Sequence, residues 1–287
     1  MVVMIRLIYF LTIIFVLIFT AIANSDTGTE KVPEKIIGAN DLVFVNKEKT
    51  NIPFKYRTIV ESIGLMDVGC TVTYIGNGYA ITAGHCIWTK FFVKMPESPF
   101  IDLPCTDDFD HQFEIWWGYR GKVGDKPTNI GFCERIVYAQ VTRHYDFAIL
   151  KVSNPPKVKA TLDLNKPAAI GDSVTVFSHA DSQPLQWSKS CSVKRIYTPV
   201  NAPPNEQISI KSIMHVCDTS PGSSGAAIID MQSLKIVGLH NGGIYFDEFK
   251  EPPPFDLFDP EAEKLGINYG TYITDSPLKE ILKKLGF

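Results

Sequence analysis

From Ile36 onward the chain consists of short apolar runs, each cut off by Gly, Pro, Asn or Asp before it reaches helical length. The runs fall at Cys70–Ile75, Tyr79–Thr82, Phe113–Trp117, Arg135–Val141, Phe147–Val152, Ser173–Ser178, Cys191–Tyr197, Gln207–Ile213, Ala226–Asp230, Lys235–Leu239 and Gly270–Thr274. Many short strands with few helical stretches argue for an all-β chain, built as a sandwich or a pair of barrels. The exception closes the chain. Ser276 stands at an N-cap position, Pro277 at the first helical position, and Leu278, Ile281, Leu282 and Leu285 follow at helical spacing, with Gly286 beyond. This predicts one C-terminal α-helix packed on the β structure.

A chain of 287 residues with 45% hydrophobic and 21% charged residues can bury a sizeable core, which excludes wholesale disorder. The net charge of -3 offers no basic face for nucleic acid. Residues 1–23 read as a signal peptide: Arg6 supplies a positive charge, an apolar stretch follows from Leu7, and Ala21 and Ala23 form a small-residue cleavage site. An uncleaved anchor helix is the alternative, and no later stretch is long and apolar enough to span a bilayer. Residues 24–35 read as a polar pro-segment or linker, 36–152 and 164–287 as two β units, and 153–163, with Pro155-Pro156, as the linker between them. Two stretches look like surface insertions. One runs from Phe91 to Asn129 with the acids Asp107, Asp108 and Asp110, whose spacing does not match an EF-hand; the other is the acidic stretch 246–266.

All six cysteines (Cys70, Cys86, Cys105, Cys133, Cys191, Cys217) lie beyond the leader. An even count in an exported chain favours disulfides, and the absence of any CxxC argues against zinc. Six cysteines allow fifteen connectivities, among which spacing does not choose. His111, His144, His179 and His215 show no metal-ligand spacing and read as turn or surface residues. No metal or cofactor is expected.

Three segments carry chemistry. Thr82-Ala83-Gly84-His85-Cys86 follows an apolar strand, Asp146 leads into another, and Thr219-Ser220-Pro221-Gly222-Ser223-Ser224-Gly225 precedes a third. A serine hydroxyl is a poor nucleophile until a base takes its proton, a histidine is the usual base, and a carboxylate holds the imidazole tautomer. Each residue alone is more often structural. Together, in the order His85, Asp146, Ser224, they form a nucleophilic set, and Gly222 lets the N–H groups of Gly222 and Ser224 turn toward a developing oxyanion.

TAGHC, the DFAIL segment and GSSG resemble the three catalytic blocks of trypsin-like serine proteases. The similarity is greatest to the glutamyl endopeptidase and exfoliative-toxin branch, through Ile36-Ile37-Gly38-Ala39-Asn40-Asp41, Thr219 five residues before the serine, and Val237-Gly238-Leu239-His240-Asn241-Gly242-Gly243. The resemblance implies two packed antiparallel six-stranded β-barrels, with His85 and Asp146 from the first and Ser224 from the second. It implies a Cys70–Cys86 disulfide beside the histidine, after which Cys105–Cys133 and Cys191–Cys217 follow by elimination. It also implies a substrate pocket lined by Thr219, His240 and the backbone of Asn241, Gly242 and Gly243, with a threonine hydroxyl and an imidazole able to receive a Glu side chain. Trypsin-type zymogens are switched on by an aspartate just before the nucleophile. Here that position is the uncharged Ser223, so cleavage at Lys35-Ile36 would have to act differently. The expected protein is a secreted (extracellular or periplasmic) monomeric serine endopeptidase acting on proteins or peptides, with no stable membrane association once the leader is cut. A catalytically inactive protease-like binding or adhesion protein is the alternative.

Overall fold

The computed structural model describes residues 36–91, 99–105, 112–142, 145–197, 212–244 and 267–287. The expected leader and pro-segment, Asp107, Asp108, Asp110, His111, His144, residues 207–211 and the stretch 246–266 lie outside them. The described chain opens on a two-residue strand, β1 (Val43–Phe44), and continues through β2 (Ile63–Met66), β3 (Thr71–Gly76), β4 (Tyr79–Thr82), a short helix α1 (Gly84–Phe91), β5 (Phe100–Pro104), β6 (Glu114–Trp117), β7 (Asn129–Val141) and β8 (Asp146–Ser153). After β9 (Thr161–Leu162) come β10 (Ser173–Ser178), β11 (Gln186–Trp187), β12 (Cys191–Tyr197), β13 (Ser212–His215), β14 (Ala227–Asp230), β15 (Lys235–Ile244), β16 (Ile267–Tyr272) and the terminal helix α2 (Pro277–Lys284).

Two antiparallel six-stranded rings close. The first runs β7-β6-β2-β3-β4-β8 and is sealed by the β7–β8 pairing; the second runs β10-β12-β13-β16-β15-β14 and is sealed by β10–β14. Closure removes the exposed edges that an open sheet would present. Four short strands, β1, β5, β9 and β11, pair outside the rings. The first two residues to pair, β1, join β11 on the second barrel, although they precede every strand of the first. β9, inside the expected linker, pairs parallel with β15. β5 pairs with β7, so the expected first insertion is partly strand: Phe100 and Cys105 are buried in the first barrel's core.

The first barrel is filled by Val72, Ala80, Ile115, Trp117, Ile136, Ala148 and Leu150 among others, and the second by Val174, Val176, Val193, Ile213, Ile228 and Tyr272. A third core lies between them, joining Ile81, Phe147 and Ile149 to Phe177, Ala227, Ile229, Leu239 and Ile273. Strand side chains alternate in direction. In β8, Ala148 and Leu150 face the barrel interior while Phe147 and Ile149 face the other barrel; in β14, Ile228 faces inward while Ala227 and Ile229 face across. Both strands are thus buried on both faces, which accounts for their unbroken apolar sequences. Helix α2 packs Leu278 and Leu282 into the same inter-barrel core. Ser276 holds the N-cap backbone position, but its hydroxyl bonds Ile273 O rather than a helix amide.

Candidate active site

The register of β4 and β8 brings the first two residues together. Thr82 at the end of β4 pairs with Ala148, so Asp146 starts β8 just beyond the point where the chain leaves β4 for α1. His85 lies in the first turn of α1. Its backbone N–H donates to Asp146 Oδ1 at 2.8 Å, and its Nδ1 meets Asp146 Oδ2 at 2.5 Å. On the other side its Nε2 lies 2.8 Å from Ser224 Oγ. The Cys70–Cys86 disulfide ties the turn carrying His85 to the start of β3. Cys105–Cys133 and Cys191–Cys217 are also bonded, the latter directly before Asp218 and Thr219. Cys70 and Cys86 lie close to His85, but sulfurs joined in a disulfide are not thiolate metal ligands.

Asp146 is positioned from the second barrel. The Thr271 hydroxyl accepts from Asp146 N at 3.1 Å, and its single proton is shared between Asp146 O at 3.1 Å and Asn241 Oδ1 at 3.0 Å. The Asn241 amide donates to Asp146 O at 2.5 Å. Asn241 was read from sequence as a pocket residue. That reading used its backbone; its side chain fixes the backbone of Asp146, and its carbonyl lies 3.5 Å from Ser224 Oγ.

The loop before Ser224 is held in one orientation. Pro221 O accepts from Asp181 N, and Ser220 Oγ donates to Asp181 Oδ1 at 2.5 Å. In a planar trans peptide the carbonyl and the next N–H point in opposite directions. Anchoring Pro221 O on Asp181 therefore turns the Gly222 N–H to the opposite side of the loop, where no acceptor among the described residues takes it. Gly222 O in turn accepts from the Thr71 hydroxyl at 2.8 Å. Gly222 has φ +103, and a Cβ there would lie 2.5 Å from His179 O, so both its conformation and its surroundings call for glycine. Gly225 is under the same constraint: a Cβ would lie 2.1 Å from Thr82 Oγ1. Ser223, at the position of the trypsin-type activation aspartate, is buried, its hydroxyl against Ser178 Oγ at 2.9 Å.

The expected pocket residues group around this loop. Thr219 is fully buried at the loop's start, and His240 is fully buried on β15, whose backbone pairs with the loop through Gly225 N to His240 O and His240 N to Ala226 O, both at 2.8 Å. A bulge separates His240 from Gly242 and Gly243. Behind His240 stands His215, with Nε2 3.2 Å from His240 Nδ1. Desolvation pushes the pKa of His215 down to about 3, and burial followed by the neighbouring His215 and His85 holds His240 well below the usual imidazole range. Sequence assigned His215 only a turn or surface role, and nothing in its spacing marks a partner 25 residues away.

A family model for the trypsin-like peptidase domain matches residues 70–239, a span that runs from the disulfide beside His85 to β15. The chain belongs to the trypsin-like peptidase family. Among solved structures the chain is similar to a Glu endopeptidase in complex with MPD, with a TM-score of 0.57 at 16% identity, covering 88% of this chain and 99% of that one. It is also similar to an inactive mutant of the Rv3671c protease from M. tuberculosis H37Rv, with a TM-score of 0.50 at 14% identity, covering 89% and 97%. Identities this low speak to the fold. No curated protein matches the chain in sequence.

Proposed function

We propose that the chain is a secreted serine endopeptidase that works through His85, Asp146 and Ser224. The observation carrying this reading is the unbroken relay from Asp146 Oδ2 through the His85 ring to Ser224 Oγ. Ser224 Oγ attacks the scissile carbonyl while His85 Nε2 takes its proton. Asp146 keeps the Nδ1 proton in place and stabilises the imidazolium. The oxyanion meets the Gly222 N–H, already turned away from Asp181, together with the N–H of Ser224. His85 then passes its proton to the leaving amine, and water releases the acyl group by the same steps in reverse. An inactive binding protein would have no use for a relay with both hydrogen bonds in place. Export fits the three disulfides, which persist in oxidising compartments, and the leader read from residues 1–23.

The pocket favours Glu before the scissile bond. The Cys217 N–H donates to His215 Nδ1, so neutral His215 carries its proton on Nε2 and donates to His240 Nδ1. That leaves His240 with its proton on Nε2, a donor suited to a carboxylate. Burial argues against the charged imidazole expected from sequence; an incoming carboxylate would offset that penalty and draw a proton onto the pair. Asp218, the nearest acid, is 3% exposed with both oxygens accepting backbone N–H groups, so it offers nothing to a Lys or Arg side chain. Matched peptides with Glu, Gln, Leu or Arg at that position test the reading. Glu is expected to be cleaved fastest, and the preference is expected to fall in His240→Ala. Equal rates for Glu and Gln, or a preference for Leu or Arg, would overturn the Glu assignment.

A further inference from the structure

Thr71 opens β3 of the first barrel, directly after Cys70, and is fully buried against the serine loop of the second barrel. Four hydrogen bonds converge on it. Its N–H donates to Ser224 O at 2.9 Å, and its carbonyl accepts from the Thr82 hydroxyl at 2.8 Å. Its own hydroxyl accepts from His179 N at 2.9 Å and donates to Gly222 O at 2.8 Å. A threonine hydroxyl offers a single proton. With the His179 N–H on its acceptor side, that proton is directed at Gly222 O, and each bond polarises the other. The β-branch restricts the side chain at χ1, so the hydroxyl is held in place on the strand.

Gly222 permits φ +103, but a glycine supplies a conformation without holding it, because nothing on its Cα resists rotation. Two planar peptides meet at that Cα. The one before it is pinned by Pro221 O on Asp181 N, and the one after it by Gly222 O on the Thr71 hydroxyl. With both planes fixed, φ and ψ of Gly222 are fixed, and so is the direction of its N–H. The second plane has another tie, Ser223 N to Ser220 O at 2.9 Å, but that bond lies within the loop and turns with it. Thr71 thus grips the carbonyls of Gly222 and Ser224, the two residues whose N–H groups are assigned to the oxyanion. It refers them to the barrel that carries His85 and Asp146.

We propose that Thr71 is a positioning residue for the hydrolysis: its hydroxyl, braced by the His179 N–H, holds Gly222 O and thereby aims the Gly222 N–H at the oxyanion. The proposal rests on the peptidase reading above and adds a cross-barrel residue to it. Removing an oxyanion donor outright costs about a hundredfold to a thousandfold in kcat, so a donor that stays but loses its aim is expected to cost less, about tenfold or more.

The test compares the wild-type chain with Thr71→Val, which keeps the shape and removes the hydroxyl, and with Thr71→Ser, which restores it. Thr71→Val is expected to lower kcat on a Glu peptide at least tenfold with KM little changed, and Thr71→Ser to stay within about threefold of wild type. A second readout separates positioning from a purely structural role. Ser224 Oγ adds to the carbonyl of a Glu trifluoromethyl ketone and places an oxyanion in the hole, whereas the corresponding alcohol forms no adduct. In Thr71→Val the inhibition constant of the ketone is expected to rise by about the factor that kcat falls, while that of the alcohol stays constant. A Thr71→Val kcat within threefold of wild type, an equal weakening of ketone and alcohol, or a Thr71→Ser as impaired as Thr71→Val would overturn the proposal. Should Thr71→Val not fold, Thr71→Ala, which removes the hydroxyl without setting a methyl against Gly222 O, takes its place against the same Thr71→Ser control. A wild-type chain that neither cleaves peptides nor labels at Ser224 with a fluorophosphonate would overturn the peptidase reading, and this proposal with it.

Discussion

Gly222→Ala should remove one of the two proposed oxyanion donors and leave the His85–Asp146–Ser224 relay untouched. At φ +103 an alanine is strained, and forcing a non-glycine residue into left-handed backbone costs roughly 1–2 kcal/mol. Its Cβ would also meet His179 O at 2.5 Å and Ser182 N at 2.9 Å, both backbone atoms that do not move without disturbing the Asp181 turn. The loop relieves both strains by rotating the 221–222 peptide, which releases Pro221 O from Asp181 N and carries the Gly222 N–H away from the oxyanion position. Loss of one such donor is worth about 2.7–4 kcal/mol, or about a hundredfold to a thousandfold in kcat. The relay hydrogen bonds do not pass through this peptide, so KM is expected to change little. Steady-state kinetics on a cleavable peptide, with thermal melting to confirm folding, measure both constants. A kcat within threefold of wild type, or a loss carried entirely by KM, would refute the assignment of this N–H to the oxyanion.

Other expectations follow from the same geometry. Ser224→Ala, His85→Ala and Asp146→Asn should each remove most hydrolysis, and any double variant should lose little more than the worse single one, because the three act as a unit. Thr271→Val should lower kcat by removing the hydroxyl that bonds both the Asp146 backbone and Asn241 Oδ1, read by kcat against KM on the same peptide. Folding stability should fall as pH drops below about 6.5: burial lowers the pKa of His179 to about 4 and of His215 to about 3, so the unfolded chain takes up protons that the folded chain refuses over that window. Denaturant titrations at pH 7 and pH 5 check the sign, and His179→Gln should flatten the dependence. Selective loss of the Cys70–Cys86 bridge through a double Ser substitution should cost about 2–4 kcal/mol in the same titrations.

The strands that flank the motifs were legible because β8 and β14 are buried on both faces, which forces long apolar runs into the sequence directly beside Asp146 and after Ser224. The order and local setting of His85, Asp146 and Ser224 sufficed to bring them together. The second layer was not legible. Thr271 lies 125 residues from Asp146, and its contribution is one hydroxyl that no pattern distinguishes from any other threonine. Asp181 and Ser182 adopt left-handed backbone with no glycine to announce it. Helix α1 was not legible because Gly84 at its start disfavours a helix and Ile87 and Trp88 add little propensity; β7, β8 and the Cys70–Cys86 bridge surround the turn that carries His85. Asp218 stands directly before Thr219 in the sequence, but its partners at residues 37 and 41 come from the other end of the chain.

The proposed mechanism requires Ser224 to become a covalent nucleophile through His85. Treating the protein with a fluorophosphonate and mapping the adduct by peptide mass spectrometry tests this directly. A single stoichiometric adduct on the Ser224 peptide is expected, lost in Ser224→Ala and slowed severely in His85→Ala. An unlabelled protein, or an adduct on another residue with Ser224 unmodified, would contradict it.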